Sequence, residues 1–201
     1  LREQMRQTSV ELARQTAYTG AGTVEFLYDP ERQEIAFIEM NTRLQVEHPI
    51  SEAITGIDLV REQLRIASGE KLGYTQDDIN LTGHAFEFRI NAEYPYNNFM
   101  PIPGLIEKLD LSGGPGVRAD FGFGAGQTVL PFYDSLLGKL VVWDVDRDRA
   151  LERSARVLEE TEIVGIKTTV PLMRRLVALD AFRSASHHTT YIESVPGLLG
   201  E

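Results

Sequence analysis

The 201-residue sequence contains no cysteine. A disulfide framework, a thiolate zinc site and a cysteine nucleophile are therefore excluded, and the composition fits a reducing compartment such as the cytoplasm. Long apolar runs are missing too. Nothing approaches the roughly 18 consecutive apolar residues that a membrane-spanning helix needs, so no membrane span is expected. Positive charge is scarce: 20 Lys and Arg stand against 30 Asp and Glu, a net charge of −10. That balance argues against non-specific binding to nucleic acid or to an anionic membrane surface. No internal repeat or low-complexity tract occurs. The opening Leu1-Arg2-Glu3-Gln4 lacks an initiator Met, a basic segment and an apolar segment, so it is not a signal peptide and reads like the middle of a longer chain.

Apolar residues make up 42% and charged residues 25%, ordinary values for a globular protein. The length suits one large domain or two small ones, and a chain of this size buries roughly 70% of its unfolded surface. Periodicity predicts a helix from residue 3 to about 19, then strands over Thr23–Tyr28 and Ile35–Met40 joined as a hairpin through the Asp29-Pro30-Glu31 turn. A helix is expected over Ile57–Ser68, with its stripe at Ile57, Val60, Leu64 and Ala67 and a capping box from Thr55 to Asp58. Strands are expected over His84–Glu93, Ile106–Leu111, Val117–Phe121 and Leu136–Trp143, and a loop over 94–104. Asp146 is placed to cap a helix running to about Glu160, with Ala150, Leu151, Ala155 and Leu158 inward. Another helix opens at Thr169-Val170-Pro171 and runs to about Leu179, followed by a polar tail from Ser184. The fold class is α+β, with antiparallel strands in the centre and helices at both ends.

The chemistry concentrates in Ile38-Glu39-Met40-Asn41-Thr42-Arg43-Leu44-Gln45-Val46-Glu47-His48-Pro49. Read as extended chain, side chains alternate, so Glu39, Asn41, Arg43, Gln45 and Glu47 share one face. A solvated strand face is the plain alternative. Glu25 sharpens the chemical reading, because hairpin pairing brings it beside Glu39. Two adjacent carboxylates repel unless a cation sits between them. With Asn41 they form an all-oxygen set suited to Mg²⁺. Arg43 offers a planar fork for a carboxylate-like or carbonate oxygen pair, and Glu47 is a candidate general base. His48, held extended before Pro49, reads as structural.

The strand at 84–93 repeats the pattern. Glu87, Arg89, Asn91 and Glu93 share one face, either as an ion-pair ladder or as carboxylates that hold Arg89 toward a developing anion. The glycines at 113–116 and 122–126 lack the context of a phosphate loop and read as turns. Ser135 lacks the surroundings of a nucleophile elbow.

Glu39-Met40-Asn41-Thr42-Arg43-Leu44-Gln45-Val46-Glu47-His48-Pro49 closely resembles the signature of biotin carboxylases, members of the ATP-grasp superfamily. Gly20-Ala21-Gly22-Thr23-Val24-Glu25-Phe26, Glu62-Gln63-Leu64-Arg65-Ile66-Ala67, Arg89-Ile90-Asn91-Ala92-Glu93, Tyr133-Asp134-Ser135 with Gly138-Lys139-Leu140, and Gly165-Ile166-Lys167-Thr168 extend the resemblance over nearly the whole chain. It implies the C-terminal half of an ATP-grasp domain over residues 1–82 and a biotin carboxylase C-terminal domain of antiparallel strands and helices over 83–201. The implied activity is ATP- and bicarbonate-dependent carboxylation of biotin on a carrier protein. Glu25 and Glu39 resemble the family's ligands for Mg²⁺ (or Mn²⁺), with Asn41 supporting. Arg43, Gln45 and the backbone of Val46 resemble its bicarbonate site. Glu47 resembles the base that deprotonates bicarbonate, and Arg89 the group that stabilises the enolate of biotin.

The implied partners are a biotin carboxyl carrier domain or protein, a carboxyltransferase subunit, and ATP and bicarbonate as ligands. A homodimer is also implied, although Pro115 stands in a turn that resembles part of the family's dimer contact, where an aromatic residue can occur. Ile50-Ser51-Glu52 after the signature resembles the acyl-CoA carboxylase type more than the pyruvate type. The family's N-terminal domain and glycine-rich lid have no counterpart here, so the 201 residues alone are expected to be inactive. Two other readings stand beside this one: another ATP-grasp ligase of the carbamoyl-phosphate-synthetase kind, and a non-catalytic module that docks a biotinylated carrier.

Overall fold

The computed structural model describes residues 1–200. The chain divides into two compact units, Leu1–Leu81 and a second beginning at Thr82. The last residue of the expected second region, Glu201, lies outside the described residues. No helix is long and apolar enough to cross a membrane among the described residues.

The first unit runs α1 (Arg2–Gln15), β1 (Thr23–Asp29), β2 (Glu34–Asn41), α2 (His48–Thr55) and α3 (Leu59–Ala67). The first helix stops four residues short of the expected end. Ala17 takes a left-handed φ of 50°, and Tyr18 N donates back to the Ala13 carbonyl at 2.9 Å, closing the last turn. β1 and β2 pair antiparallel as the sequence predicts, and Asp29 Oδ1 organises the turn by accepting from Glu31 N at 2.9 Å and Arg32 N at 3.2 Å.

Two expectations shift here. The extended reading of 38–49 ends at Asn41, and α2 begins at His48 with Pro49 in its first turn, where a missing N–H costs nothing. His48 is therefore helical, not held extended. The capping box is also displaced. Thr55 closes α2 by donating to the Ser51 carbonyl at 2.6 Å, while Asp58 itself caps α3 by accepting from Arg61 N at 2.8 Å. Pro49 and Glu52 are the buried residues of this unit. The expected α3 stripe is not covered, since Val60 and Leu64 are exposed.

The second unit holds the apolar core. Its strands are β3 (His84–Asn91), β4 (Glu93–Tyr94), β5 (Met100–Pro101), β6 (Gly104–Leu105), β7 (Lys108–Asp110), β8 (Val117–Phe121), β9 (Thr128–Val129), β10 (Leu136–Asp144) and β11 (Glu162–Val164). Its helices are α4 (Arg147–Glu160), α5 (Val170–Val177), α6 (Asp180–Arg183) and α7 (Tyr191–Ser194). The main sheet is antiparallel in the order β3-β10-β8. Short two-stranded ladders join β11 to β7, β4 to β5 and β6 to β9, so the stretch expected as a loop at 94–104 carries short strands of its own.

On β3, Phe86, Phe88 and Ile90 alternate into the core, where they meet Leu140 and Val142 of β10 and Ala150, Leu151, Val157 and Leu158 of α4. Asp146 caps α4 as expected, accepting from Arg149 N at 2.9 Å. The α4 stripe differs at one position. Ser154 is buried and Ala155 is exposed, because the seam follows 150, 151, 154, 157 and 158 at helical spacing. Ser154 meets its burial by donating to the Ala150 carbonyl at 2.7 Å. The last expected helix is α5, which ends at Val177 close to the expected Leu179, and a short α6 follows from Asp180. The polar tail is anchored, with Leu198 buried against Leu172 and Leu176 while Arg175 donates to the Gly197 and Gly200 carbonyls at 2.7 Å.

The turn at 113–116 is clamped from α4. Arg153 donates to the carbonyls of Pro115 and Trp143 at 2.8 Å each and pairs with Asp144 at 2.7 Å. Gly116 sits at φ +72°, and a Cβ there would lie 2.3 Å from the Trp143 carbonyl oxygen, a backbone contact that cannot yield, so only glycine fits.

Two measurements test this unit. Leu140→Ala, at a side chain with no exposure, is expected to cost about 2–5 kcal/mol in urea unfolding. The second concerns His84, whose Nε2 lies 3.2 Å from Arg147 Nη1. Arginine only donates, so this nitrogen accepts and the ring is neutral. Burial, then the Arg147 charge, lowers the His84 pKa below its ordinary 6.5. The unfolded chain thus binds the proton first as pH falls. This group leaves stability unchanged above pH 6.5 and reduces it as pH drops from there through the lowered folded value. His84→Gln is expected to flatten that decline in denaturation midpoints measured across the same range.

Candidate functional site

The β1–β2 register sets Glu25 directly opposite Glu39 and Thr23 opposite Asn41. Directly opposed residues share a face of the sheet, so the two carboxylates meet. Asn41 Nδ2 donates to Glu25 Oε1 at 2.8 Å and to Glu39 Oε1 at 3.1 Å. One amide thus offsets the repulsion of two exposed carboxylates. Just beyond this pair the register shifts: Phe26 pairs with Phe37, and Ile38 is left as the extra residue of a bulge. No group of three or more Asp, Glu, His or Cys gathers around a cation position among the described residues. The candidate set is therefore two carboxylates plus an amide. Rotating the Asn41 amide replaces its N–H₂ with Oδ1, which completes an oxygen set of the kind a small hard cation takes.

Beyond Asn41 the chain leaves the sheet. Arg43 Nη1 donates to Gln45 Oε1 at 3.0 Å, so the second polar pair also meets. Arg43 Nη2 and Gln45 Nε2 have no protein partner among the described residues, and both are donors suited to an oxyanion. Glu47 is exposed and is the residue immediately before α2. The segment is held by a turn in which His48 N donates to the Gln45 carbonyl at 3.3 Å and Ile50 N to the Glu47 carbonyl at 3.1 Å.

His48 has the structural role the sequence suggests. A carbonyl only accepts, so its contact with Nδ1, 2.8 Å from the Gln45 oxygen, makes that nitrogen the donor. Nε2 lies 3.9 Å from Glu52 Oε1. Sequence reasoning missed Glu52. Buried, it accepts from Leu59 N at 2.8 Å and ties α2 to the start of α3. Nothing in the local pattern marks it, because a single Glu in a helix is ordinarily solvated.

Arg89 lies on β3 of the second unit, half exposed, 3.9 Å through Nε from the nearly buried Glu87 carboxylate. Lys139 of β10 is its cross-strand partner, and Asp120 of β8 faces Lys139 from the other side. Arg89 and Lys139 thus sit side by side with the Glu87 and Asp120 carboxylates next to them, and Lys139 is a functional candidate the sequence reading left unassigned. Pairing between strands far apart in the chain, which a single sequence does not supply, is the missing signal. Further along the face, Asn91 Nδ2 donates to Glu93 at 3.0 Å and lies 3.3 Å from Ser135 Oγ, whose own proton goes to Glu93. Thr169 Oγ1 receives Asn91 N and donates to the Arg89 carbonyl, both at 3.1 Å, pinning this end of β3. With its hydroxyl donating to Glu93, Ser135 is a structural group.

The family model for the biotin carboxylase C-terminal domain matches residues 87–194, more than half the chain. The chain belongs to the biotin carboxylase family. Residues 1–75 match the ATP-binding domain of the carbamoyl-phosphate synthase L chain. Among relatives of this biotin carboxylase family member, a biotin carboxylase of Nostoc is 47% identical over 97% of the chain and 43% of its own length. Biotin carboxylase 1 of Bacillus subtilis is 45% identical over 96% of the chain and 43% of its own length. The chain thus spans about two fifths of these relatives. The biotin carboxylase domain dimer of Hydrogenobacter thermophilus 2-oxoglutarate carboxylase, solved with MgADP, ADP and bicarbonate, superposes with a TM-score of 0.95. It is 43% identical, covering 100% of this chain and 44% of that one. The α+β fold with antiparallel sheets agrees with the sequence expectation.

The amide bridge has a direct test. Asn41→Leu removes the donors between Glu25 and Glu39 and is expected to destabilise the first unit by about 1 kcal/mol. Chemical denaturation at neutral pH measures it.

Proposed function

We propose that this chain carries the metal- and bicarbonate-binding part of a biotin carboxylase, which uses ATP to carboxylate biotin on a carrier protein. The observation that carries the reading is the Asn41 amide set between the opposed carboxylates of Glu25 and Glu39. In this reading, residues 1–82 are the C-terminal part of an ATP-grasp domain and 83–201 the biotin carboxylase C-terminal domain. Glu25, Glu39 and Asn41 hold Mg²⁺ or Mn²⁺, which when bound offsets the charge of the ATP phosphates. Arg43, Gln45 and the Val46 backbone orient bicarbonate. The guanidinium fork and the Gln45 amide supply N–H donors to its oxygens, and the Arg43–Gln45 hydrogen bond limits the rotamers of both.

Glu47 takes the proton of bicarbonate. Its place on the turn that opens α2 fixes the backbone from which the carboxylate projects. Arg89 stabilises the negative charge that develops on the ureido oxygen of biotin when its nitrogen becomes nucleophilic. The net reaction consumes ATP, bicarbonate and biotin and yields ADP, phosphate and carboxybiotin. The partners in this proposal are a biotin carboxyl carrier domain or protein, a second copy of the enzyme and a carboxyltransferase subunit, in the cytoplasm. Relatives named for pyruvate and for 2-oxoglutarate carboxylation stand beside those named biotin carboxylase. The proposal is accordingly framed on the biotin half-reaction they share. A second reading, a ligase of the carbamoyl-phosphate-synthetase kind, draws support from the match over residues 1–75.

The test is bicarbonate-dependent ATP hydrolysis stimulated by free biotin, measured in a full-length enzyme that contains this sequence. Glu47→Gln and Arg89→Ala are each expected to lower kcat by about 100-fold or more. Unchanged activity in both variants overturns the assignment, and bicarbonate-dependent hydrolysis that ignores biotin favours the second reading.

A further inference from the structure

The second unit contains a cavity of about 700 Å³ that none of the roles above uses. Its size falls within the range of small-molecule sites, roughly 300–1,000 Å³. One wall is aromatic. Tyr94 and Tyr96 flank the buried Pro95 and meet edge to face, with ring centroids 5.8 Å apart. The floor is aliphatic, from Ile102, Ile163 and Ile166. Among the described residues the single charged group in the lining is Lys167, whose ammonium lies 5.4 Å from the centre of the Tyr94 ring. Lys167 enters no ion pair among the described residues. No carboxylate of the described residues lines the cavity, although acids outnumber bases 30 to 20 in the chain.

The shape is built into the backbone. Gly165, at φ +101°, brings this wall within 2.2 Å of the Leu105 carbonyl, measured from where a Cβ would stand, so no side chain fits between them. Arg175 stacks 5.5 Å over Tyr96 while its N–H groups are held by the Gly197 and Gly200 carbonyls, which fixes the outer ring.

An ammonium with no counter-ion among the described residues, beside an apolar, aromatic surface, is complementary to a small monoanion with an apolar body. We propose that this cavity binds an aryl or branched-chain carboxylate, its carboxylate on Lys167 and its body against Tyr94, Tyr96 and the isoleucine floor. The inference is independent of the reading of Glu25, Glu39 and Glu47.

Phenylacetate is the probe, titrated into the ¹⁵N-labelled chain, with phenylacetamide as its neutral counterpart. Phenylacetate is expected to shift the backbone amides of residues 94–96 and 163–168, and phenylacetamide to bind at least about tenfold more weakly. Lys167→Met should lose the same factor, and Lys167→Arg, which keeps the charge, should retain binding. Three results overturn the proposal: no saturable shifts with phenylacetate, equal affinity for acid and amide, or unchanged affinity in a folded Lys167→Met variant.

Discussion

The register of one hairpin governs the candidate site. With Glu25 opposite Glu39, two like charges share a face and require something between them, and the Asn41 amide supplies it. Slipping the pairing by one residue would turn Glu25 to the other face and leave Asn41 with one carboxylate. The bulge at Ile38 confines the irregularity to the part of the hairpin beyond the carboxylate pair. The same strand then delivers the chain to Arg43 and Gln45, whose side chains meet, and to the turn that opens α2. Chain continuity thus sets the anion-type pair within a few residues of the metal-type pair.

The two units solve different problems. In the second, a central strand with Leu137, Leu140, Val141 and Val142 buried is paired on both sides and packed under α4. Such a sheet fixes the backbone of β3 firmly enough to carry Arg89 on its other face. Thr169 adds hydrogen bonds to the same strand end. In the first unit the polar groups hold the geometry: Asp29 makes the hairpin turn, Glu52 joins α2 to α3, and Asp58 caps α3.

Strand alternation made most of this legible in advance. Period two in 84–93 separated Phe86, Phe88 and Ile90 from Glu87, Arg89 and Asn91, and the structure keeps that separation. The hairpin and the meeting of Glu25 with Glu39 followed from two β-rich runs around an Asp-Pro turn. Alternation failed where the backbone changed state. The polar ladder from Glu39 to Glu47 looked like one strand, yet it spans a strand end, a turn and a helix start, and Pro49 initiates the helix rather than extending the chain. Cross-strand neighbours such as Lys139 beside Arg89 were invisible, because pairing is a property of two segments. Ser154 displaced Ala155 from the α4 seam because a hydroxyl that donates to its own helix can be buried like an apolar group.

The central claim, that Glu25, Glu39 and Asn41 form a cation site, is tested most directly by adding Mn²⁺ to the labelled chain and reading paramagnetic broadening residue by residue. The account requires broadening centred on residues 25, 39 and 41, relieved by excess Mg²⁺ and lost when Glu25 and Glu39 are both changed to Gln. Broadening centred on other acidic residues, with the signals of 25, 39 and 41 left sharp, would contradict it.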